Sequence, residues 1–183
     1  DDYPQLEYGS VASLADDPDT LKTQGGYVAR FPGQAATTFV SRQSATLCTS
    51  TYQAETHFAS EAVKDIYYKR ALFDELQFTI TGPTRLFIDN QATVLDSGSP
   101  IRKFSSKSKH FTLQERLATQ ATEDGSVQII KIDGSQGITL TSDSIHRLHD
   151  CDAMTKPLAK EDFQRYSLSL MGAPPPTCIE KRG

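Results

Sequence analysis

At 183 residues, with 37% hydrophobic and 23% charged residues, the chain has the size and composition of one soluble globular domain with room for a real core. No apolar run approaches the roughly 20 residues that cross a bilayer, which excludes a membrane-spanning chain. A formal net charge of -4 argues against strong non-specific affinity for nucleic acid, because phosphate binding draws on clustered Lys and Arg; a local basic strip is still compatible with it.

Residues 6–14 read as a short mixed strand, closed by the turn signal Asp16-Asp17-Pro18-Asp19. Residues 25–31 carry the aromatic and β-branched content of a second strand; Pro32-Gly33 turns the chain, and residues 35–41 return as a third. Short turns join the three, which predicts an antiparallel meander. From 51 to 76 the period changes. Ala54, Phe58, Ala62, Ile66, Phe73 and Leu76 recur at helical intervals or their multiples, while Glu61, Lys64, Asp65 and Lys69 fill the other side. This pattern predicts an amphipathic helix, capped at its start by Thr49, Ser50 or Thr51.

Gly82-Pro83 then breaks the chain, and residues 84–88 form a compact buried strand. Residues 89–96 read as a short helix closed by Gly98 and Pro100, and residues 107–122 as another, ended near Gly125. Residues 127–132 make a second short buried strand, and the polar stretch 134–144 reads as a loop or insertion. Residues 151–170 hold one or two terminal helices, interrupted at Pro157. Pro174-Pro175-Pro176 and Glu180-Lys181-Arg182 mark 173–183 as a Pro-rich tail, extended and suited to a linker or a groove-forming partner. Strands followed by alternating helices and strands predict an α/β domain over 1–172, a mixed sheet covered by helices.

Cys48, Cys151 and Cys178 are far apart and odd in number, which argues against a disulfide framework or a zinc knuckle and for a reducing interior, nucleus or cytoplasm. The chain begins at Asp1 rather than Met and reads as a fragment.

Two carboxylates stand in strong local context: Glu55 at the start of the long helix and Asp89 at the end of the strand Leu86-Phe87-Ile88. Each has an ordinary structural role beside a chemical one. Glu55 in the first helical turn complements the positive end of the dipole, and Asp89 caps the following helix. Asp152 alone is a helix-start acid. His146, His149 and Cys151 invite a metal reading, but no matching ligand pair accompanies them, and a polar loop is the simpler account. Arg102, Lys103, Lys107, Lys109, His110 and Arg116 form the basic cluster, either a strip near a nucleic-acid backbone or a solvated helix face. Tyr67 and Tyr68 on the long helix read as core and partial surface; exposure of either points to a partner surface.

Several motifs follow one another along the chain: Asp17-Pro18-Asp19-Thr20 with Gly26-Tyr27-Val28; Cys48-Thr49-Ser50-Thr51 with Ala54-Glu55 and Ser60-Glu61-Ala62-Val63-Lys64; Asp89-Asn90-Gln91-Ala92; Ser108-Lys109-His110-Phe111; and Asp152-Ala153-Met154-Thr155-Lys156-Pro157-Leu158. In this order, over about residues 8–166, they resemble the ribonuclease H domain at the end of the polyprotein of copia-type LTR retrotransposons. The resemblance implies a ribonuclease H-like fold with a meander followed by parallel strands. It also implies an activity, cutting the RNA strand of an RNA–DNA hybrid, in which four acids hold two divalent ions about 3.5–4 Å apart. Hard cations such as Mg²⁺ favour carboxylate oxygens for this task.

Matched residue by residue, Glu55, Asp89 and Asp152 take three of the four acid positions. The fourth follows Ser10, where the family has Ser-Asp-Ala-Ser or Ser-Asp-Ala-Asp; here it is Val11. In the family that acid bridges both ions, and a valine supplies no oxygen. Asp16 is five residues further on, displaced by roughly 15 Å along an extended chain. The reading that follows is a retrotransposon-derived domain that has lost, or nearly lost, nuclease chemistry. It holds no metal, or a single weak Mg²⁺ or Mn²⁺ at Glu55, Asp89 and Asp152. It serves as a scaffold or protein-interaction module, with a protein partner and no membrane. Two other readings stand beside it. One is an active ribonuclease H of a reverse transcriptase polyprotein, using a substitute ligand. The other is a non-catalytic binder that reaches RNA–DNA hybrid through Arg102, Lys103, Lys107 and Lys109.

Overall fold

The three early strands form where the residue pattern places them. A computed structural model of the chain describes residues 5–14, 19–45, 47–88, 109–131, 151, 154–155 and 157–172. Within these, β1 (Glu7–Ser13), β2 (Gln24–Arg30) and β3 (Ala36–Gln43) make an antiparallel meander. Helix α1 (Thr51–Glu75) crosses to β4 (Thr84–Ile88), which lies parallel to β1; α2 (Lys109–Glu123) leads to β5 (Val127–Lys131), parallel to β4; α3 (Lys160–Leu170) closes the described chain. The sheet order is β3-β2-β1-β4-β5.

Strand parity assigns side chains to the two faces. Leu6 and Tyr8 join Tyr27, Ala29, Leu86 and Ile88 on one face, packed against Ala59, Ala62, Val63 and Ile66 of α1 and Ala121 of α2. Farther along the same face, Ala12 meets Ala54 and Phe58. The opposite face gathers Val28, Cys151 and Met154, with Val11, Ala36 and Leu170 against them. Close approach of α1 to the sheet requires glycine at 25, since a Cβ there would overlap the Phe58 ring.

Three differences from the sequence reading have physical causes. β3 runs to Gln43, because Gln24 and Gly25 continue to pair with Gln43 and Arg42. Helix α1 ends at Glu75, and Leu76, expected in the core, is 55% exposed at its C-cap, since the apolar period outlasts the sheet beneath it. The terminal segment holds one regular helix, starting three residues after Pro157; Cys151 and Met154 are buried ahead of that break. The expected short helix at 89–96, the loop at 134–144 and the tail at 173–183 lie outside the described residues.

Polar groups pin both faces. On the α1 side the Tyr8 hydroxyl donates to Asp65 Oδ2 at 2.7 Å. Lys69 Nζ lies 3.1 Å from the same carboxylate and donates to Thr38 Oγ1 at 2.5 Å, tying α1 to β3. Burial of the phenol, reinforced by the neighbouring Asp65, pushes the Tyr8 pKa far above its ordinary value; burial lowers that of Lys69, with Asp65 opposing. On the other side Glu7 is 1% exposed and sits in register between Arg30 of β2 and Arg85 of β4, with Arg85 in direct contact. Burial raises the Glu7 pKa, and the two guanidiniums oppose the rise.

Breaking a buried ion pair by removing one partner leaves a charge uncompensated. Arg85→Met is expected to lower unfolding stability by about 2–3 kcal/mol, at the low end because Arg85 is partly exposed. A raised folded-state pKa gives a contribution that is full below the unfolded value and lost as pH rises through the folded value. The Arg85→Met deficit in urea unfolding is therefore expected to be larger at neutral pH than near the ordinary glutamate pKa.

Candidate active site

Parallel pairing sets the C-terminal ends of β1 and β4 side by side, with Ser10 opposite Ile88 as the last pair in register. The start of α1 is fixed above this end by its cap. Ser50 is in extended conformation and its hydroxyl accepts from the Gln53 amide at 3.1 Å. The Gln53 side chain reaches back to accept from the Thr49 amide at 2.7 Å and the Thr49 hydroxyl at 2.9 Å. Two otherwise orphaned donors are thus satisfied reciprocally, a variant of the capping box.

Glu55 is the fifth helical residue and only 9% exposed. The expectation that it sits in the first turn is corrected: one turn in, it is past the reach of the helix-end dipole, which fades within that turn. Its neighbour Ala54 packs on Ala12 of β1. Val11 is half-buried, paired in register with Gly26, and packs against Val28, Cys151 and Met154.

Three consecutive residues of β1 therefore border the flanks of three expected acids. Ser10 pairs with Ile88, which precedes Asp89. Ala12 shares a buried cluster with Ala54, which precedes Glu55. Val11 meets Cys151 and Met154, which bracket Asp152. Asp89 and Asp152 themselves lie outside the described residues, as do Arg102, Lys103, Lys107, His146 and His149. Lys109 opens α2, and Arg116 is exposed on the same helix. Asp19 is exposed in the turn beyond β1. Among the described residues no group of three or more His, Cys, Asp or Glu is placed to hold a metal. None of the described helices is long and apolar enough to cross a membrane.

Two residues that sequence reasoning passed over hold the closing segment in place. Ser41 Oγ donates to the Met154 carbonyl at 2.6 Å, and Gln24 Nε2 donates to Ser41 Oγ at 2.8 Å while lying 3.4 Å from the same carbonyl. Ser41 ends a predicted strand and Gln24 stands one residue before another, and nothing in their spacing distinguishes them from solvent-facing polar residues. Of the paired tyrosines, Tyr67 donates to Asp124 Oδ2 at 2.6 Å and locks α1 to the turn after α2; burial and that carboxylate push its pKa up to about 12. Tyr68 is 66% exposed.

No family model and no curated protein matches the chain. Solved structures do. An RNase H1 isolated from compost by a metagenomic approach superposes with a TM-score of 0.55 at 10% identity, over 84% of this chain and 94% of that one. The same enzyme in complex with an RNA/DNA hybrid gives 0.52 at 11% identity, over 72% and 88%. The fold is that of ribonuclease H. Prototype foamy virus protease–reverse transcriptase also contains it, with a TM-score of 0.54 at 13% identity over 85% of this chain and 21% of the viral one. In this ribonuclease H-like domain β1 is central in the described sheet, and Cys151 and Met154 lie on the face away from α1.

The cap sets where α1 begins and hence where Glu55 stands. Ser50→Ala is expected to cost about 1 kcal/mol, read as a lower Tm and faster hydrogen exchange at the Gln53 and Ala54 amides.

Proposed function

We propose that this chain is an intracellular, copia-derived ribonuclease H-like domain whose nuclease chemistry is lost or impaired, and that it serves as a scaffold or protein-interaction module in a nucleic-acid-handling complex. The observation that carries this reading is Val11: a half-buried hydrocarbon on the central strand, engaged with Val28, Cys151 and Met154.

In the family that the chain resembles, the oxygen donor shared by the two ions stands on the strand that here is β1; a two-ion centre works by clamping the attacking and leaving oxygens between its ions. At residue 11 the side chain offers no oxygen and is committed to apolar packing, so the residues do not fit a pair of bridged cations. Glu55, Asp89 and Asp152 together amount at most to a weak single Mg²⁺ or Mn²⁺ site, since hard cations need several charged oxygens. The flanks of all three acids border β1 within three residues, which supports their convergence.

Losing one preorganised group aimed at developing charge typically costs about 10²–10³ in rate. Val11→Asp is accordingly expected to raise cleavage of a labelled RNA–DNA hybrid in Mg²⁺ by about that factor, and Asp89→Asn in that background to remove the gain. Efficient cutting by the unaltered chain, abolished by Asp89→Asn alone, rejects the retired nuclease in favour of an active ribonuclease H.

A second reading, binding of RNA–DNA hybrid without cleavage, has the support of a fold shared with a protein solved on such a hybrid. The basic residues Arg102, Lys103, Lys107 and Lys109 are its proposed contacts. Double substitution Lys107→Glu and Lys109→Glu is expected to weaken hybrid binding in fluorescence anisotropy. It should also flatten the slope of log affinity against log salt by about 1–2, near 0.9 for each phosphate left without its lysine. An unchanged slope removes these lysines from the interface.

A further inference from the structure

Away from residue 11, where β1 begins, the sheet and the α1–β4 connection enclose a cavity of about 310 Å³ with Gln5, Phe31, Phe73, Phe78, Ile80 and Thr81 in its walls. The walls are almost entirely carbon, and Phe78 is 53% exposed.

The walls are held by specific contacts. Helix α1 ends in a Schellman turn, with Gln77 in the left-handed region at φ 61°. The Phe78 amide donates to the Phe73 carbonyl at 2.8 Å and the Gln77 amide to the Asp74 carbonyl at 2.9 Å. The Phe78 ring stands edge-on to Phe73 with centroids 6.4 Å apart, and the Phe31 centroid lies 6.1 Å from Phe73. Gln5 Nε2 donates to the Thr81 carbonyl at 3.1 Å, which ties the start of the described chain to the α1–β4 connection. Residues 1–4 therefore join the domain at a wall of the cavity. They read Asp1-Asp2-Tyr3-Pro4, with one aromatic ring among them.

We propose that this cavity is the seat of the chain's own Tyr3. A residue before proline is confined to extended backbone. In an extended chain, side chains two residues apart point to the same side. Tyr3 thus shares the side of Gln5, whose side chain is itself a cavity wall. Two residues span at most about 7 Å, so the ring has little distance to cover. Its apolar body matches Phe31, Phe73 and Phe78, and edge-to-face packing adds to the burial. Its hydroxyl has Thr79, Thr81 and solvent to bond with, and Asp1 and Asp2 stay in water, since burying an unpaired charge is costly. The N-terminal segment becomes a strap from β1 to the end of α1 that fixes the direction in which the chain enters the sheet. This contact is independent of whether residue 11 supports nuclease chemistry.

The test uses NMR and thermal unfolding of the full 183-residue chain. Nuclear Overhauser effects are expected between the Tyr3 ring and the Ile80 methyl groups. Tyr3→Ala, at a terminal position that leaves the fold intact by circular dichroism, is expected to lower Tm by about 2–4 °C. In a Phe78→Ala background the same change is expected to lower Tm by less than half as much, because the two rings share one contact. Benzene probes for an emptied cavity, since dry apolar cavities take it up. Read at the Ile80 methyl signals, its affinity is expected to be at least about tenfold higher in Tyr3→Ala than in the unaltered chain. Absence of the Overhauser effects overturns the proposal, as does an unchanged Tm in Tyr3→Ala or full additivity with Phe78→Ala. Equal benzene affinity in the two chains also overturns it and leaves the cavity to a small apolar ligand or to another protein's side chain.

Discussion

The architecture depends on the two-residue period of β1. Because successive side chains point to opposite faces, one strand must satisfy two unlike environments at once. Tyr8 and Ala12, with Leu6 just ahead of the strand, build the core beneath α1, while Glu7 and Val11 serve the face that carries Cys151, Met154 and Leu170. It is also the one described strand with an antiparallel neighbour on one side and a parallel neighbour on the other. A one-residue slip would drive Glu7 into the α1 core and eject Tyr8 from its contact with Asp65. The Glu7 contact with Arg85 and its register with Arg30, together with the Tyr8–Asp65 hydrogen bond, therefore act as register locks on opposite faces of the same strand.

Position 11 inherits its surroundings from that arrangement. Its side chain is directed to the face where the closing segment returns, and its cross-strand partner is Gly26, where a Cβ would overlap the Val40 carbonyl. A residue here has strand backbone rather than a side chain beside it and apolar company on its face. A valine settles into such a place with little adjustment. A carboxylate would need compensating cations or donors, because burying an unpaired charge is costly. Fold likeness to ribonuclease H1 therefore leaves activity to be decided by side chains.

Much of this was legible in the residues. The meander, the long helix and the two later strands announced themselves through period, turn residues and β-branched content; the expected burial holds for β4, whereas β5, at the end of the described sheet, buries only Val127. What stayed hidden was set by tertiary contact. The periodicity that includes Leu76 does not know where the sheet beneath α1 ends. Gln24 and Ser41 look like solvent-facing polar residues at the ends of strands until the Met154 carbonyl arrives above them, across more than a hundred residues of chain. Glu55 read as a dipole partner in the first turn; with Ser50 as the cap it is the fifth helical residue, beyond that turn.

The Ser41–Met154 bond has a consequence for how the domain comes apart. The closing segment is anchored most closely through a hydroxyl on the outer strand β3, with Gln24 of β2 the more distant donor to the same carbonyl. Peripheral strands fray at lower free energy than interior ones. When β3 peels, it releases its hold on the carbonyl that fastens the stretch over Val11, so that stretch loosens while β1, β2 and β4 are still zipped. Mechanical integrity at the heart of the molecule is in this way tethered to its rim.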